Sequence, residues 1–434
     1  MWVRPALAFR GSPQLPGDKS ISHRYALLAA LCPEETCISN YSLSHDCQHT
    51  LQCLQSVGVD VRRGGEDTCI RGRPLGELER SDATLDCGNS GTTMRLLSGI
   101  LATQKHRYIL NGDDSLRSRP MGRILIPLRK MGAAIRASDG ERAPLEIEGR
   151  RLHGVQYILP VASAQVKSCV LLAGLHARGR TEVIEPIPSR SHTERALPLF
   201  GVDVEIQGEC ISISGGQQPR SPGPIRVPAD PSAAAFFCVA ACLIPGAAVT
   251  LKNINFNPAR IELFRLLKQA GADIRIDREE EKFGEPVTNL TVRHSASLLE
   301  GFPERIDGKA IPPLIDEIPI LSILGCRLPR GLEIRDASEL RHKETDRIHA
   351  VAEGLNALGA RVDEFEDGMK IYACPSFRGG RIASHGDHRI AMAFSIAALM
   401  AESDVEIQES ECVSVSYPDF YSNLEKLAGV ARPA

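Results

Sequence analysis

Six times along the chain, a polar or glycine-bearing loop leads into a helix-like run of small and apolar residues. The runs are apolar on nearly every side, which is typical of helices that other elements enclose. They start at near-constant spacing, and such periodic similarity predicts a repeat architecture. The six runs are Asp18 to Leu31, Gly88 to Leu101, Ser163 to Leu175, Asp230 to Leu243, Asp316 to Leu324, and Asp387 to Met400.

Each repeat also carries a second, more amphipathic helix that ends on glycine and passes into a strand-like tail. In Glu344 to Leu358, for example, an apolar stripe lies opposite a charged face, which predicts a helix on the outside. Glycine just past a helix is the usual left-handed cap, and the alternation after it predicts a strand. The tails start at Gly58, Gly132, Gly201, Gly271 and Gly359, and a shortened sixth, Gly429-Val430, closes the chain.

Short β-branched runs between the helices supply further strands, at Tyr157 to Leu159, Ala248 to Leu251 and Val405 to Ile407. The pattern therefore predicts an α/β chain of six similar repeats, with buried helices inside and sheets around them. The most proline-rich segment, Pro219 to Pro228, lies at the middle of the six repeats and predicts a boundary between two domains.

The composition is that of an ordinary globular protein of 434 residues, 43% of them hydrophobic and 24% charged. The net charge of −3 gives no long-range attraction to nucleic acid or to an acidic membrane surface. No apolar run approaches the roughly 18 residues that a membrane-spanning helix needs. The 13 cysteines are scattered and never spaced CxxC, which argues against a disulfide framework and a zinc knuckle. Buried free thiols, as expected at Cys238 and Cys242, fit a reduced, cytoplasmic protein.

The loop from Gly17 to Arg24, reading GDKSISHR, places an ammonium, two hydroxyls and a guanidinium directly before a buried run. Lysine, serine and free backbone amides at the start of a helix form a site for an anion. The GxxxxGK[ST] spacing of nucleotide-binding phosphate loops is missing. On this stretch alone, a capped surface helix with solvated charges is the alternative.

If the six repeats are equivalent, their loop-to-helix junctions are equivalent too, and polar side chains collect there. Cations outnumber carboxylates at these junctions, which predicts a small substrate with several negative groups, or two such substrates. The few acids, Asp316 and Glu344, are candidates for general acid and base. For Glu344 and Asp346, pairing with a helix N-terminal dipole is the alternative. The cations are Lys19, Arg24, Arg95, Arg117, Arg119, Arg123, Lys167, Arg190, Arg341, Lys343, Arg347 and Arg389.

Two junction features carry less chemistry. The junction Asp230-Pro231-Ser232 has no cation and is interpreted as structural. His385 and His388 could form a metal pair, but no third histidine or carboxylate stands at ligand spacing, so no metal is expected.

Nine motifs occur in the order found in the EPSP synthase family of enolpyruvyl transferases, and the chain resembles that family from about residue 12 onward. The motifs are PGDKSISHR, GNSGTTMR, RPMGR, ASAQVKS, SRSHTER, IDE, KETDR, DHRIAMAF and YPDF. The resemblance implies two similar domains, each an inside-out α/β barrel of three βαβαββ repeats, with the site in the cleft between them. One domain would comprise residues 17–227, and the other residues 1–16 with 228–434.

The resemblance also implies the reaction: the enolpyruvyl group of phosphoenolpyruvate moves to the 5-hydroxyl of shikimate-3-phosphate, and phosphate leaves. No metal or organic cofactor would be needed, and the protein would be a monomer. Asp316 matches the proton acceptor at the hydroxyl, Glu344 matches the group that exchanges a proton with the methylene, and Lys19 lies between both substrates. Shikimate-3-phosphate contacts are matched by Lys19, Ser20, Arg24, Ser163, Ala164, Gln165, Arg190, Asp316 and Lys343. The phosphoenolpyruvate pocket is matched by Lys19, Gly91, Arg119, Gln165, Arg347 and Arg389, with His388 in a supporting role.

Two positions bear on how far the resemblance extends. Some members carry a lysine near the C-terminal motif where this chain has Val415, and the task of that lysine is unassigned here. ASAQVKS and SRSHTER resemble the branch in which some members tolerate the inhibitor glyphosate. Gly91, however, stands where tolerant members can carry alanine, so we expect sensitivity.

Two other functions remain as alternatives. An enolpyruvyl transferase that acts on UDP-N-acetylglucosamine shares the implied fold, but it usually carries a cysteine in the loop that corresponds to Asn111 to Arg119. This chain has no cysteine there. The second alternative is a six-repeat binding or scaffolding protein whose cationic junctions hold an anionic partner.

Overall fold

The chain folds into two units in the computed structural model, which describes residues 1–429. The central unit comprises Gly17–Pro228 together with Glu281–Glu285. The split unit comprises Met1–Pro16, Ala229–Glu280 and the chain from Pro286 onward. The sixth glycine-led tail, Gly429-Val430, extends past the described residues. The sequence pattern did not single out the short insertion Glu281–Glu285.

Twenty-four short strands lie within the described residues. In chain order they are β1 (Trp2–Val3), β2 (Arg10–Gly11), β3 (Thr36–Ser39), β4 (Asp60–Gly64), β5 (Asp67–Arg71), β6 (Leu85–Asp86), β7 (Arg107–Asn111), β8 (Ala134–Ser138), β9 (Arg142–Glu148), β10 (Gln156–Ile158), β11 (Arg180–Ile184), β12 (Glu205–Gln207), β13 (Cys210–Ser214), β14 (Ile225–Arg226), β15 (Ala248–Asn255), β16 (Ile274–Ile276), β17 (Glu280–Lys282), β18 (Glu285–Arg293), β19 (Arg305–Ile306), β20 (Leu332–Ile334), β21 (Val362–Phe365), β22 (Gly368–Ile371), β23 (Gly380–Ala383) and β24 (Val405–Gln408).

Fifteen α-helices lie within the same residues. They are α1 (Lys19–Ala29), α2 (His45–Gln55), α3 (Gly91–Leu101), α4 (Asp114–Ser118), α5 (Gly122–Lys130), α6 (Ala164–Gly174), α7 (His192–Leu199), α8 (Pro231–Leu243), α9 (Glu262–Gln269), α10 (Leu298–Gly301), α11 (Ile311–Leu314), α12 (Ile318–Arg327), α13 (Arg347–Ala357), α14 (His388–Ala398) and α15 (Phe420–Ala428). None of them is long and apolar enough to cross a membrane.

One strand order recurs in five of the six sheets: a parallel pair, followed by two strands that are each antiparallel to their neighbour. In the central unit the orders are β14-β3-β5-β4, β6-β7-β9-β8 and β10-β11-β13-β12. In the split unit they are β2-β15-β18-β16, with β17 beside β18, and β19-β20-β22-β21. The sixth sheet, β23-β24-β1, takes its antiparallel strand from the start of the chain.

The first helix of every repeat is buried, as the sequence predicted. All thirteen residues of α8 are buried, and α1, α3, α6, α12 and α14 are buried along nearly their whole length. In five of the six, a serine or aspartate side chain accepts a backbone N–H at the start of the helix. Such caps satisfy amides that a buried helix end would otherwise leave unpaired.

The glycine-led tails also follow the prediction. Gly58, Gly132, Gly201, Gly271 and Gly359 all have φ between +72° and +96°, a left-handed conformation that glycine adopts without strain. A strand starts within four residues of each.

The structure adds a strand to one predicted boundary and corrects one predicted helix. The proline-rich segment Pro219 to Pro228 contains β14, which pairs in parallel with β3. The helix predicted from Glu344 begins only at Arg347, with Asp346 as its cap, so Glu344 lies in the turn before the helix.

Candidate active site

In the central unit, the first turns of α3 and α6 are joined by side chains. Gln165 Nε2 of α6 donates to Thr92 Oγ1 of α3 at 3.0 Å, and Arg95 of α3 donates to Gln165 Oε1. The first turn of α1 is joined to α3 through Asp46, whose carbonyl accepts from Thr93 Oγ1 at 3.4 Å. Three helix N-termini therefore gather in one region, where their dipoles favour an anion.

Lys19, the first residue of α1, is held by a carboxylate that the sequence analysis did not single out. Its Nζ lies 2.9 Å from Asp46 Oδ2, and both side chains are mostly buried. Asp46 lies in the first turn of α2, where an acidic residue also fits the helix dipole. The pair fixes the direction of the ammonium group, which a long flexible side chain cannot do alone.

Arg24 is a buried guanidinium with three hydrogen bonds. Its Nε donates to Thr193 Oγ1 at 2.7 Å, its Nη2 donates to Ser168 Oγ at 2.8 Å, and its Nη1 donates to the Ser20 carbonyl at 2.8 Å. Burial and, to a smaller extent, the nearby Arg190 cation lower the pKa of Arg24 to about 10, against the opposing effect of nearby carboxylates. Arg24 stays cationic at neutral pH, and an anionic ligand would relieve its repulsion with Arg190.

Arg119 and Gly91 lie next to this region. Arg119 Nη2 donates to Asn89 Oδ1 at 2.7 Å and to Ser115 Oγ at 3.1 Å. Among the described residues, no group accepts a hydrogen bond from the buried Arg119 Nε. Gly91 opens α3, and a methyl group added there would lie 3.1 Å from Arg95 Nη1 and 3.8 Å from Arg119 Nη1. The absence of a side chain at Gly91 therefore leaves room beside two guanidinium groups.

The remaining candidates of the central unit have different surroundings. Ser163 is the cap of α6, accepting from Val166 N, and Ala164 is the first residue of that helix. Lys167, counted among the junction cations, is buried and paired: its side chain is 1% exposed and its Nζ lies 2.7 Å from Glu185 and 2.6 Å from Glu194. Lys167, Glu185 and Glu194 form a buried ion triad. Removing one partner of such a buried group typically lowers the free energy of unfolding by about 3–5 kcal/mol.

In the split unit, Arg347 is the centre of a cluster of carboxylates. Its side chain is 1% exposed. Nε donates to Asp387 Oδ2 at 2.7 Å, and Nη2 donates to Glu344 Oε2 at 2.7 Å. Burial acts to lower the pKa of Arg347, but the negative charges of Asp387, Glu344 and Asp316 outweigh it and raise the pKa. Asp387 also caps α14, so one carboxylate joins two helices.

Asp316 lies among three cations. Lys343 Nζ and Arg347 Nη1 are each 3.7 Å from Asp316 Oδ1, and Arg389 Nη2 is 3.8 Å from Oδ2. Arg389 Nη1 also donates to the Asp316 carbonyl at 2.8 Å. Asp316 and Glu344 thus both form ion pairs with the guanidinium group of Arg347. Two carboxylates and three cations within reach of one another can both move protons and hold an anion.

Two histidines, His385 and His388, also lie in this unit, as does Val415, where some relatives carry a lysine. His388 is buried as the first residue of α14. His385 Nε2 lies 2.7 Å from Glu353 Oε2, so its neighbour is a carboxylate of α13. Val415 ends a 3-10 segment, Ser410–Val415, and is half-buried. Its surroundings give no account of the task that a lysine has there in some relatives.

One group of possible metal donors occurs in the part of the chain that the structure describes: Glu35, Cys37 and Cys69. Cys37 and Cys69 face each other across β3 and β5 and are joined in a disulfide, which the sequence analysis did not expect. Oxidised sulfurs are not thiolate ligands, so the group is not a ready metal site. The other eleven cysteines are free thiols.

The residues that sequence reasoning did not single out are mainly the partners of the candidate site residues. Asp46 and Arg260 carried no motif signal, whereas Ser168 and Thr193 stand inside the ASAQVKS and SRSHTER motifs. Ser168 lies in the buried helix α6 and Thr193 is the second residue of α7, and their place inside these motifs was the signal that could have identified them.

The fold matches that of a solved enolpyruvyl transferase. A solved structure of the enolpyruvyl transferase NikO from Streptomyces tendae superimposes with a TM-score of 0.79 and covers 98% of this chain and 96% of that one. At 17% identity this likeness shows the fold alone.

More similar proteins define the family. A family profile for EPSP synthase (3-phosphoshikimate 1-carboxyvinyltransferase) matches residues 3–424. A 3-phosphoshikimate 1-carboxyvinyltransferase of Desulfitobacterium hafniense is 46% identical over 427 residues, 98% of this chain and 97% of the relative. An EPSP synthase structure from Acinetobacter baumannii has a TM-score of 0.86 at 39% identity, covering 98% and 97% of the two chains. The chain therefore belongs to the EPSP synthase family.

Membership confirms two predictions and sets two alternatives aside. The α/β fold of two similar domains, each an inside-out barrel of three repeats, is confirmed by the close structural match. The prediction of an enzyme, a transferase, is confirmed as well. The relatives favour neither the nucleotide-sugar transferase nor a scaffolding protein.

Proposed function

We propose that this enzyme transfers the enolpyruvyl group of phosphoenolpyruvate to the 5-hydroxyl of shikimate-3-phosphate and releases phosphate. One observation carries the proposal: Asp316 and Glu344 share the buried Arg347, with Lys343 and Arg389 beside Asp316. The reaction needs two positioned proton-transfer groups among cations that hold phosphate and carboxylate, and this cluster supplies both.

The roles divide between proton transfer and anion binding. Glu344 gives a proton to the vinyl CH2 of phosphoenolpyruvate, which makes the neighbouring carbon electrophilic. Asp316 takes the proton of the attacking hydroxyl. The tetrahedral ketal phosphate then expels phosphate as the methyl group formed from that CH2 gives a proton back to Glu344, and Asp316 passes its proton to the departing phosphate. Lys19, fixed by Asp46, supplies a positive charge to both substrates.

The binding residues fall into two sets. Shikimate-3-phosphate is bound by the central-unit residues Lys19, Ser20, Arg24, Ser163, Ala164, Gln165 and Arg190, and by Asp316 and Lys343. Phosphoenolpyruvate is bound by Lys19, Gly91, Arg119, Gln165, Arg347 and Arg389. The hydrogen bonds that orient Arg24 and Arg119 support these roles, because a guanidinium held beforehand loses less entropy on binding an anion.

Phosphate release tests the function directly. With both substrates and EDTA present, the enzyme is expected to release phosphate together with 5-enolpyruvylshikimate-3-phosphate, because the chain itself supplies the cations. A parallel reaction replaces shikimate-3-phosphate by UDP-N-acetylglucosamine and is expected to release none. Phosphate release in the UDP-N-acetylglucosamine reaction, with none in the shikimate-3-phosphate reaction, would overturn the assignment.

A methyl group at Gly91 is expected to weaken binding of the inhibitor glyphosate more than binding of phosphoenolpyruvate. Because the added carbon of Gly91→Ala lies 3.1 Å from Arg95 Nη1, the space beside Arg95 and Arg119 shrinks. We expect the wild type to be inhibited well below millimolar glyphosate. In Gly91→Ala the inhibition constant of glyphosate should rise at least about tenfold. KM for phosphoenolpyruvate should rise by a smaller factor, because glyphosate is the longer molecule.

Gly64→Ala is the matched control, since a methyl group there meets no atom within 4 Å. It should leave both constants at wild-type values. Wild-type inhibition that appears only at millimolar glyphosate, with normal substrate affinity, would contradict the proposed pocket.

A further inference from the structure

Three buried helices of the split unit begin around one side chain, Glu317. Glu317 directly precedes α12, Ser232 is the second residue of α8, and Arg389 is the second residue of α14. Ser232 Oγ donates to Glu317 Oε1 at 2.5 Å, and Arg389 Nη1 lies 3.8 Å from the same oxygen. The carboxylate of Glu317 therefore connects the starts of all three helices.

Ser232, the donor to Glu317, is itself held by a second guanidinium, Arg260. Arg260 Nη2 donates to Ser232 Oγ at 3.1 Å and to Asp230 Oδ1 at 2.9 Å, and the Arg260 side chain is 3% exposed. The Glu317 side chain is itself only 6% exposed. Burial raises its pKa, while the Arg389 and Arg260 cations act in the opposite direction. A carboxylate in this position is costly to bury, so the fold must hold it in a well-defined place.

The network ends at a residue of the proposed phosphoenolpyruvate site. Arg389 Nη1 donates to the carbonyl of Asp316, and its Nη2 lies 3.8 Å from the Asp316 carboxylate. Together, Asp316 and Glu317 set the direction of the guanidinium plane. The junction Asp230-Pro231-Ser232, interpreted as structural from the sequence, thus contributes two groups to the support of Arg389.

We propose that Glu317 is a positioning residue, which Ser232 and Arg260 hold in place so that Arg389 is oriented for phosphoenolpyruvate. The inference rests on the proposed function, because Arg389 has that role only if phosphoenolpyruvate is the substrate. A guanidinium oriented beforehand binds an anion more tightly, since less side-chain freedom is lost on binding. Glu317 itself need not touch either substrate.

Steady-state kinetics with each substrate varied separately tests the proposal. For Glu317→Ala, KM for phosphoenolpyruvate should rise about tenfold, while KM for shikimate-3-phosphate stays within about twofold and kcat falls less than about threefold. Glu317→Gln keeps the shape and the acceptor for Ser232 but loses the charge, and should raise the same KM about threefold. Ser232→Ala should also raise it about threefold, because Glu317 then loses its donor.

Ser322→Ala is the matched control. Ser322 is a buried hydroxyl of the same helix α12, and its Oγ donates to Ile318 O at 2.8 Å, within the helix. It should leave both KM values unchanged. Thermal unfolding of every variant is measured alongside, so that loss of folded protein is not mistaken for weak binding. If Glu317→Ala does not fold, Glu317→Gln and Ser232→Ala decide the question.

Two results would overturn the proposal: KM for phosphoenolpyruvate within twofold of wild type in every folded variant, or an equal rise of KM for both substrates. Either result can be distinguished from failure of the proposed function, because in that failure the wild type itself would release no phosphate from the two substrates.

Discussion

Glu344→Gln is expected to lower kcat at least about a hundredfold, the usual scale for a positioned proton-transfer group. Glutamine has the shape of glutamate, and its carbonyl can still accept the hydrogen bond that Arg347 Nη2 gives to Glu344 Oε2 at 2.7 Å. It cannot donate a proton to the methylene of phosphoenolpyruvate and take it back. The loss should therefore fall on kcat, with KM for shikimate-3-phosphate within about threefold of wild type.

Phosphate release under saturating substrates measures this loss, and deuterium incorporation from D2O into the product methylene reports the proton exchange itself. Glu339→Gln is the matched control, because Glu339 is an exposed carboxylate that lies 3.6 Å from Lys343. It should keep at least half of the wild-type kcat. Wild-type turnover in Glu344→Gln would remove Glu344 from the mechanism.

Asp316→Asn is expected to lower kcat by a similar factor, at least about a hundredfold, and to raise KM for shikimate-3-phosphate as well. Asparagine cannot accept the proton of the 5-hydroxyl. It also loses the negative charge that lies 3.7 to 3.8 Å from Lys343, Arg347 and Arg389, so the cations lose a shared partner. The rise in KM separates this variant from Glu344→Gln.

Initial rates at several shikimate-3-phosphate concentrations give kcat and KM for Asp316→Asn. Asp277→Asn serves as its control, since Asp277 pairs with the exposed Arg275 at 3.1 Å. A kcat in Asp316→Asn that stays near the wild-type value, with only KM raised, would leave Asp316 as a binding group and contradict its role as proton acceptor.

The sequence alone determined the repeat and the buried helices, and it supplied the candidate site residues. These features are encoded locally: apolar runs with capping residues at Asp18 or Asp387, glycine at the left-handed position of Gly58 or Gly359, and cations clustered at the helix starts. Local patterns are readable because capping and backbone conformation depend on residues a few positions apart.

The tertiary structure decided which charges meet. Lys19 pairs with Asp46, and Arg347 with Asp387, a residue 40 positions further along the chain. Ser232 supports Glu317 from 85 positions away, and Cys37 meets Cys69 only because β3 and β5 are in register. Helix packing and strand register bring these groups together, and no spacing along the sequence records them. The same packing turned Lys167 from a candidate ligand cation into a buried structural one.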